Sequence, residues 1–157
     1  MIPAIKVRRH ACEPRPKTAL RAAHTLDFKF FIFGSLSVMS ATPAASPLSD
    51  VAYQALTRAV LDRIEAAADA WLEDDTVDID THRTGGLLEL SFPNGSKMVL
   101  NTQPPLQELW LAARAGGYHF RYCEGRWLDT REGIEFHELL SAQASAQAGR
   151  PLSFTPP

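Results

Sequence analysis

Across residues 88–129 the apolar side chains come in short runs of alternation, and turn residues break each run. Leu88, Leu90 and Phe92 alternate with polar neighbours, Asn94-Gly95 follows, and Met98 and Leu100 open the next run. Leu109 and Leu111 flank Trp110; Tyr118, Phe120 and Tyr122 alternate again; a last short run, Arg126–Asp129, follows Glu124-Gly125. Successive side chains of a strand point to opposite faces, so each run has one apolar and one polar side. Strands joined by such short turns pair antiparallel. The chain therefore specifies a meander sheet with one face to cover.

Two segments supply the cover. Residues 50–72 follow Ser49, a favoured N-cap. At about 100° per residue, Tyr53, Leu56, Val60, Ile64, Ala67 and Trp71 fall within roughly 80° of arc. Asp62, Glu65, Asp69 and Glu73 lie nearly opposite, and Asp74, Asp75, Asp78 and Asp80 continue the acidity. Val77 and Ile79 alternate with the last two as in a half-buried strand, so the ridge is expected to run off the helix onto a first strand. Gly85-Gly86 then marks a turn, and Asn94-Gly95 the clearest hairpin. Residues 133–148 form a second helix with Phe136, Leu140 and Ala144 on one face, stopped by Gly149 and Pro151. The expected fold is α+β: a two-layer α/β sandwich, an antiparallel meander sheet with the N- and C-terminal helices packed on one face and the other face open.

The formal charge of -2 conceals a division. Residues 1–48 hold 7 Lys/Arg and 2 Asp/Glu, a net of 7 - 2 = +5; residues 49–157 hold 9 and 16, a net of 9 - 16 = -7. The first 48 residues read as a basic, Pro-rich extension without a fold of its own, and residues 49–157 as the domain. Three readings fit the extension: a secretory leader, an organelle-import leader, or a working start at Met39. Its apolar run is too short to span a membrane, which takes about 20 residues. An acidic domain argues against nucleic acid or an anionic membrane as partner. There is no HExxH, GxGxxG or P-loop, and Cys12 and Cys123 form neither a CxxC nor a disulfide framework. Cys123 reads as a passive strand residue.

Chemistry concentrates between residues 62 and 80, where eight acids face one base, Arg63. Oxygen-only donors suit hard cations such as calcium, magnesium, manganese or iron. A convex helix face cannot close a cage, so metal binding there is weak, hydrated and multi-site. The plain alternative is a solvated acidic face. Trp110 falls out of phase with Leu109 and Leu111, which favours the open sheet face, with a core position as the alternative. His82, His119 and His137 lack spaced ligand partners and read as surface or satisfied histidines.

Several motifs in order, from the acidic helix and strand through Gly85-Gly86-Leu87-Leu88-Glu89-Leu90-Ser91-Phe92, Asn94-Gly95-Ser96-Lys97, Asn101-Thr102-Gln103-Pro104-Pro105 and Trp110 to Ala115-Gly116-Gly117-Tyr118-His119-Phe120, resemble the bacterial frataxin (CyaY-like) family. The resemblance covers about residues 49–154. It implies the same sandwich, binding of iron (Fe2+/Fe3+) by Asp62, Glu65, Asp69, Glu73, Asp74, Asp75, Asp78 and Asp80, and partner contact through Asn101, Gln103 and Trp110. It implies a cytoplasmic, non-enzymatic regulator or iron donor acting on the cysteine desulfurase and the iron–sulfur scaffold protein. A ferroxidase or iron store is the alternative. The expected state is a monomer, with iron-dependent oligomers as a second state. The sequence departs from the family pattern at His82, Pro93 and Thr102.

Overall fold

The computed structural model describes residues 48–157, so all but Leu48 of the expected extension, with the Met39 start, lies outside the described residues. The order is α1 (Asp50–Glu73), β1 (Asp80–Thr84), β2 (Leu87–Ser91), β3 (Lys97–Gln103), a 3-10 turn (Pro104–Leu106), β4 (Glu108–Ala113), β5 (Gly116–Cys123), β6 (Arg126–Asp129) and α2 (Phe136–Ala148). The strands form one sheet in chain order, each pair antiparallel.

Helix α1 begins where the Ser49 hydroxyl accepts the Ala52 N–H at 3.2 Å. Its buried face is Tyr53, Thr57, Val60, Leu61, Ile64 and Ala68. That face is centred roughly 50° away from the stripe read in the sequence, on the side of Leu61. Thr57 can join it because its hydroxyl donates to the Tyr53 carbonyl at 2.9 Å, which satisfies the buried oxygen. The rotation leaves Leu56, Ala67 and Trp71 half-buried and turns Glu65 toward the sheet.

The inward strand residues Leu88, Leu90, Met98, Leu100, Leu109, Leu111 and Phe120 are at most 1% exposed. Phe136 of α2 meets Phe120 edge-on at 5.1 Å, and Tyr53 of α1 meets Trp127 of β6 edge-on at 6.1 Å. Both helices thus share one core with one face of the sheet, as the alternation requires. The other face is open, and the fold is the expected α/β sandwich.

Four local readings are corrected. Strand β1 begins at Asp80, because β2 ends at Ser91, the partner of Asp80. Residues 77–79 keep their alternation, with Ile79 buried and Asp78 exposed, but have no strand to pair with. Helix α2 begins at Phe136 rather than near 133: Gly133 has φ +72° and Glu135 pairs with Leu128, so the chain stays non-helical until Glu135 caps it. The two-residue turn is Gly85-Gly86, whereas the Asn94-Gly95 connection spans residues 92–96. A Cβ on Gly86 would lie 2.0 Å from the Thr102 hydroxyl, so the β1–β2 turn closes on β3 only with glycine there. Cys123 is half-buried on β5 but is not a free thiol, against the passive residue expected.

Tyr53 ties α1 to the sheet and makes stability sensitive to alkali. Its ring is 1% exposed, and its hydroxyl donates to the Glu108 carbonyl at 2.7 Å. Burial raises its pKa above the ordinary 10.0. The folded state therefore keeps a proton that the unfolded chain releases, and this contribution is full below about pH 10 and lost as pH rises beyond it. Wild type is expected to exceed Tyr53→Phe by about 1 kcal/mol near pH 8. The gap should narrow above about pH 10 in urea melts; a gap independent of pH contradicts the assignment.

Candidate functional site: an acidic ridge and an open sheet face

The eight ridge carboxylates do not form one equivalent set. Arg83 stands opposite Leu88 in the register and so reaches toward α1 from the core side of the edge strand. Its guanidinium donates to Glu65 at 2.8 Å and also to Asp62, which Arg58 approaches at 3.7 Å. The hydrogen bond to Asp62, with Glu65 behind it, raises the Arg83 pKa above its ordinary value. Asp62 and Glu65 are thus already neutralised by protein.

Asp69, Glu73, Asp74, Asp75 and Asp78 are exposed, and none makes an ion pair among the described residues. Arg63, the one base in this stretch of sequence, turns away to the Thr155 hydroxyl at 2.9 Å. Asp69 and Glu73 sit in the last turns of α1, and Asp74 caps its C-terminus. The helix dipole is negative at that end, so acids there cost stability, and the last turn holds no base to offset them. Asp75 adopts φ +53°, a left-handed conformation that aspartate tolerates better than most residues. Asp80 is exposed and unpaired too, but its register with Ser91 puts it on the open face beside His82. The structure therefore leaves Asp69, Glu73, Asp74, Asp75 and Asp78 exposed and without an ion pair among the described residues, whereas Arg83 holds Asp62 and Glu65, and Asp80 lies on the open sheet face. Oxygen donors alone fit a hard cation. Among the described residues no three His, Cys, Asp or Glu side chains converge on one point.

Trp110 lies on the open face, as its phase requires, but half-buried. His119 stacks on it with ring centroids 4.1 Å apart and planes 6° from parallel. Its indole N–H donates to Glu108 at 3.0 Å. The Glu108 carboxylate, 6% exposed, also accepts from Arg121 at 3.0 Å. Asn101 stands directly opposite Trp110, and Gln103 opposite Glu108. Sequence reading missed Arg83, Glu108 and Arg121. A period-2 count puts Glu108 on the open face, but only the β4–β5 register shows that Arg121 stands opposite it.

A six-stranded antiparallel sheet under two helices, with an unneutralised acidic helix end and a polar open face, defines a small α/β-sandwich protein. Residues 46–150 match the family model described as a frataxin-like domain, and the chain belongs to that family. It is 53% identical over 108 residues to the iron-sulfur cluster assembly protein CyaY of Cupriavidus taiwanensis, covering 69% of this chain and 97% of that relative. The structure of frataxin from Psychromonas ingrahamii is 34% identical with a TM-score of 0.61, covering 69% of this chain and 99% of that one. A trimeric Saccharomyces cerevisiae frataxin, complexed with ferrous, is 23% identical with a TM-score of 0.51 over 69% of this chain and 94% of that one, a likeness of fold. Among the described residues no helix is long and apolar enough to cross a membrane.

Proposed function

We propose that this protein acts in iron–sulfur cluster assembly as a non-enzymatic, iron-responsive regulator or iron donor. The reading is carried by the carboxylates of Asp69, Glu73, Asp74, Asp75 and Asp78, left without counter-charge at the negative end of α1. A fold gives up stability to keep like charges together there, which a ligand or a basic partner repays. The assembly role rests on the family and on the name of the Cupriavidus relative. The ridge meets a basic surface of the cysteine desulfurase, and the face around Asn101, Gln103 and Trp110 meets the scaffold protein. Iron binds the ridge weakly, partly hydrated and at several positions, with Asp80 as an outlying ligand and Asp62 and Glu65 available only if Arg83 lets go. Each ferrous ion adds two positive charges to the ridge and weakens its fit to a basic partner, which couples iron level to docking.

The test is desulfurase turnover with and without the protein, at low and high ferrous iron. The expected result is a change in turnover on adding the protein, and a different change when iron is raised. Identical turnover in all four conditions contradicts the proposal. Ferrous-dependent oxygen uptake that disappears on neutralising the ridge would instead favour a ferroxidase.

A further inference from the structure

We infer that Glu108 is a positioning residue for the docking face, and that this face recognises an uncharged, extended segment of its partner. The inference rests on the proposed contact between that face and the scaffold protein.

The open face carries the charged pairs Glu108–Arg121 and Glu89–Lys97, at 3.0 and 2.6 Å, and on its two edge strands the exposed Asp80 and Arg126, which make no ion pair among the described residues. The two pairs are matched within the fold. The indole N–H of Trp110 is occupied as well, since Glu108 accepts it, and one indole face is covered by His119. What remains unmatched at the centre is neutral: the half-buried side-chain amides of Asn101 and Gln103 make no hydrogen bond among the described residues. Each amide has both a donor and an acceptor, the set that reads a peptide backbone. An aromatic ring held in one orientation beside two free amides suits an extended neutral strand or loop, since little side-chain freedom is lost on contact.

Glu108 is the part that fixes this arrangement. It is 6% exposed, so it contributes almost no surface of its own. Its carboxylate engages the Trp110 indole through Oε2 and the Arg121 guanidinium through Oε1. Without it the indole loses its tether and the Arg121 charge is released onto the face. The partner would then meet a mobile ring and a free cation instead of a set ring and neutral amides. The two docking surfaces consequently obey different physics: ridge docking weakens with salt, whereas docking on the sheet face barely depends on it.

The test uses the whole chain and the purified scaffold protein. In the free protein, the Trp110 indole N–H should exchange with solvent at least about tenfold faster in Glu108→Ala than in wild type, with Glu108→Gln, which keeps an acceptor, close to wild type. Scaffold affinity should fall about tenfold in Glu108→Ala and recover in Glu108→Gln, while wild-type affinity changes less than about threefold between roughly 0.05 and 0.3 M salt. Trp110→Ala serves as the reference for the docking reading. Weakened binding by Trp110→Ala with wild-type binding by Glu108→Ala overturns the positioning role alone. A steep loss of scaffold affinity with salt overturns the neutral-partner assignment. Undiminished binding by Trp110→Ala removes the docking reading and this inference with it.

Discussion

The triple charge reversal Asp69→Lys, Glu73→Lys and Asp78→Lys is expected to lower affinity for the cysteine desulfurase by roughly a hundredfold or more while the domain stays folded. Each exposed charge contributes about 1 kcal/mol at most to a contact in water, so three reversed charges amount to about 3 kcal/mol; a tenfold change in affinity corresponds to about 1.4 kcal/mol. Stability is preserved because none of the three carboxylates has an ion-pair partner among the described residues to lose. Lysine in the last turns of α1 also complements the helix dipole where acids now oppose it. The melting temperature should hold or rise. Reversing Asp62 or Glu65 would be a poor version of this experiment, since a lysine there would face Arg83 and confuse lost docking with lost folding. Pull-down and titration at two salt concentrations measure the effect. Binding by the triple variant at wild-type strength removes the ridge from the docking surface.

The division of the ridge explains why the sequence was legible to different depths. The alternation of Leu88, Leu90, Met98, Leu100, Leu109 and Leu111 depends only on which face is buried, and all six are buried in the structure. The helical stripe is also local, yet its centre is displaced because Thr57, polar by composition, satisfies its hydroxyl within the helix and packs inward. Arg83 lies 21 residues beyond Asp62, and nothing in the spacing says that they meet. They meet because β1 is the edge strand and its register turns Arg83 toward α1. Glu108 likewise counts as a solvated charge until the register brings Arg121 opposite it. The misplaced start of β1 has the same origin: residues 77–79 carry a strand pattern, but pairing is a property of two segments, and β2 has ended. Long-range partnership is the information a single strand or helix does not carry. In this chain it separates five exposed ridge acids without an ion pair among the described residues from the two held by Arg83 and from Asp80 on the open sheet face.

Phe136→Ala is expected to be the most destabilising single change argued from the fold, and it should leave both docking surfaces intact. The side chain is fully buried at the first position of α2, and its ring meets Phe120 of β5 edge-on at 5.1 Å with planes 87° apart. Truncating a buried phenylalanine costs about 3–5 kcal/mol, because the lost transfer energy is joined by that of the cavity left behind. A domain of this size is stable by about 5–15 kcal/mol, so roughly a fifth or more of the total is at stake. The urea midpoint should fall with the slope unchanged. Phe136→Leu, which keeps most of the volume, should lose clearly less. Part of the loss should couple to Phe120, since an edge-to-face pair contributes about 0.5–1.5 kcal/mol beyond burial, and the cycle with Phe120→Leu measures that share. Because Phe136 touches neither the end of α1 nor the exposed side of β4, the folded fraction should still bind partner normally. A loss below about 1 kcal/mol would mean that α2 is not seated on the sheet through this ring, and the second layer of the sandwich would then need another anchor.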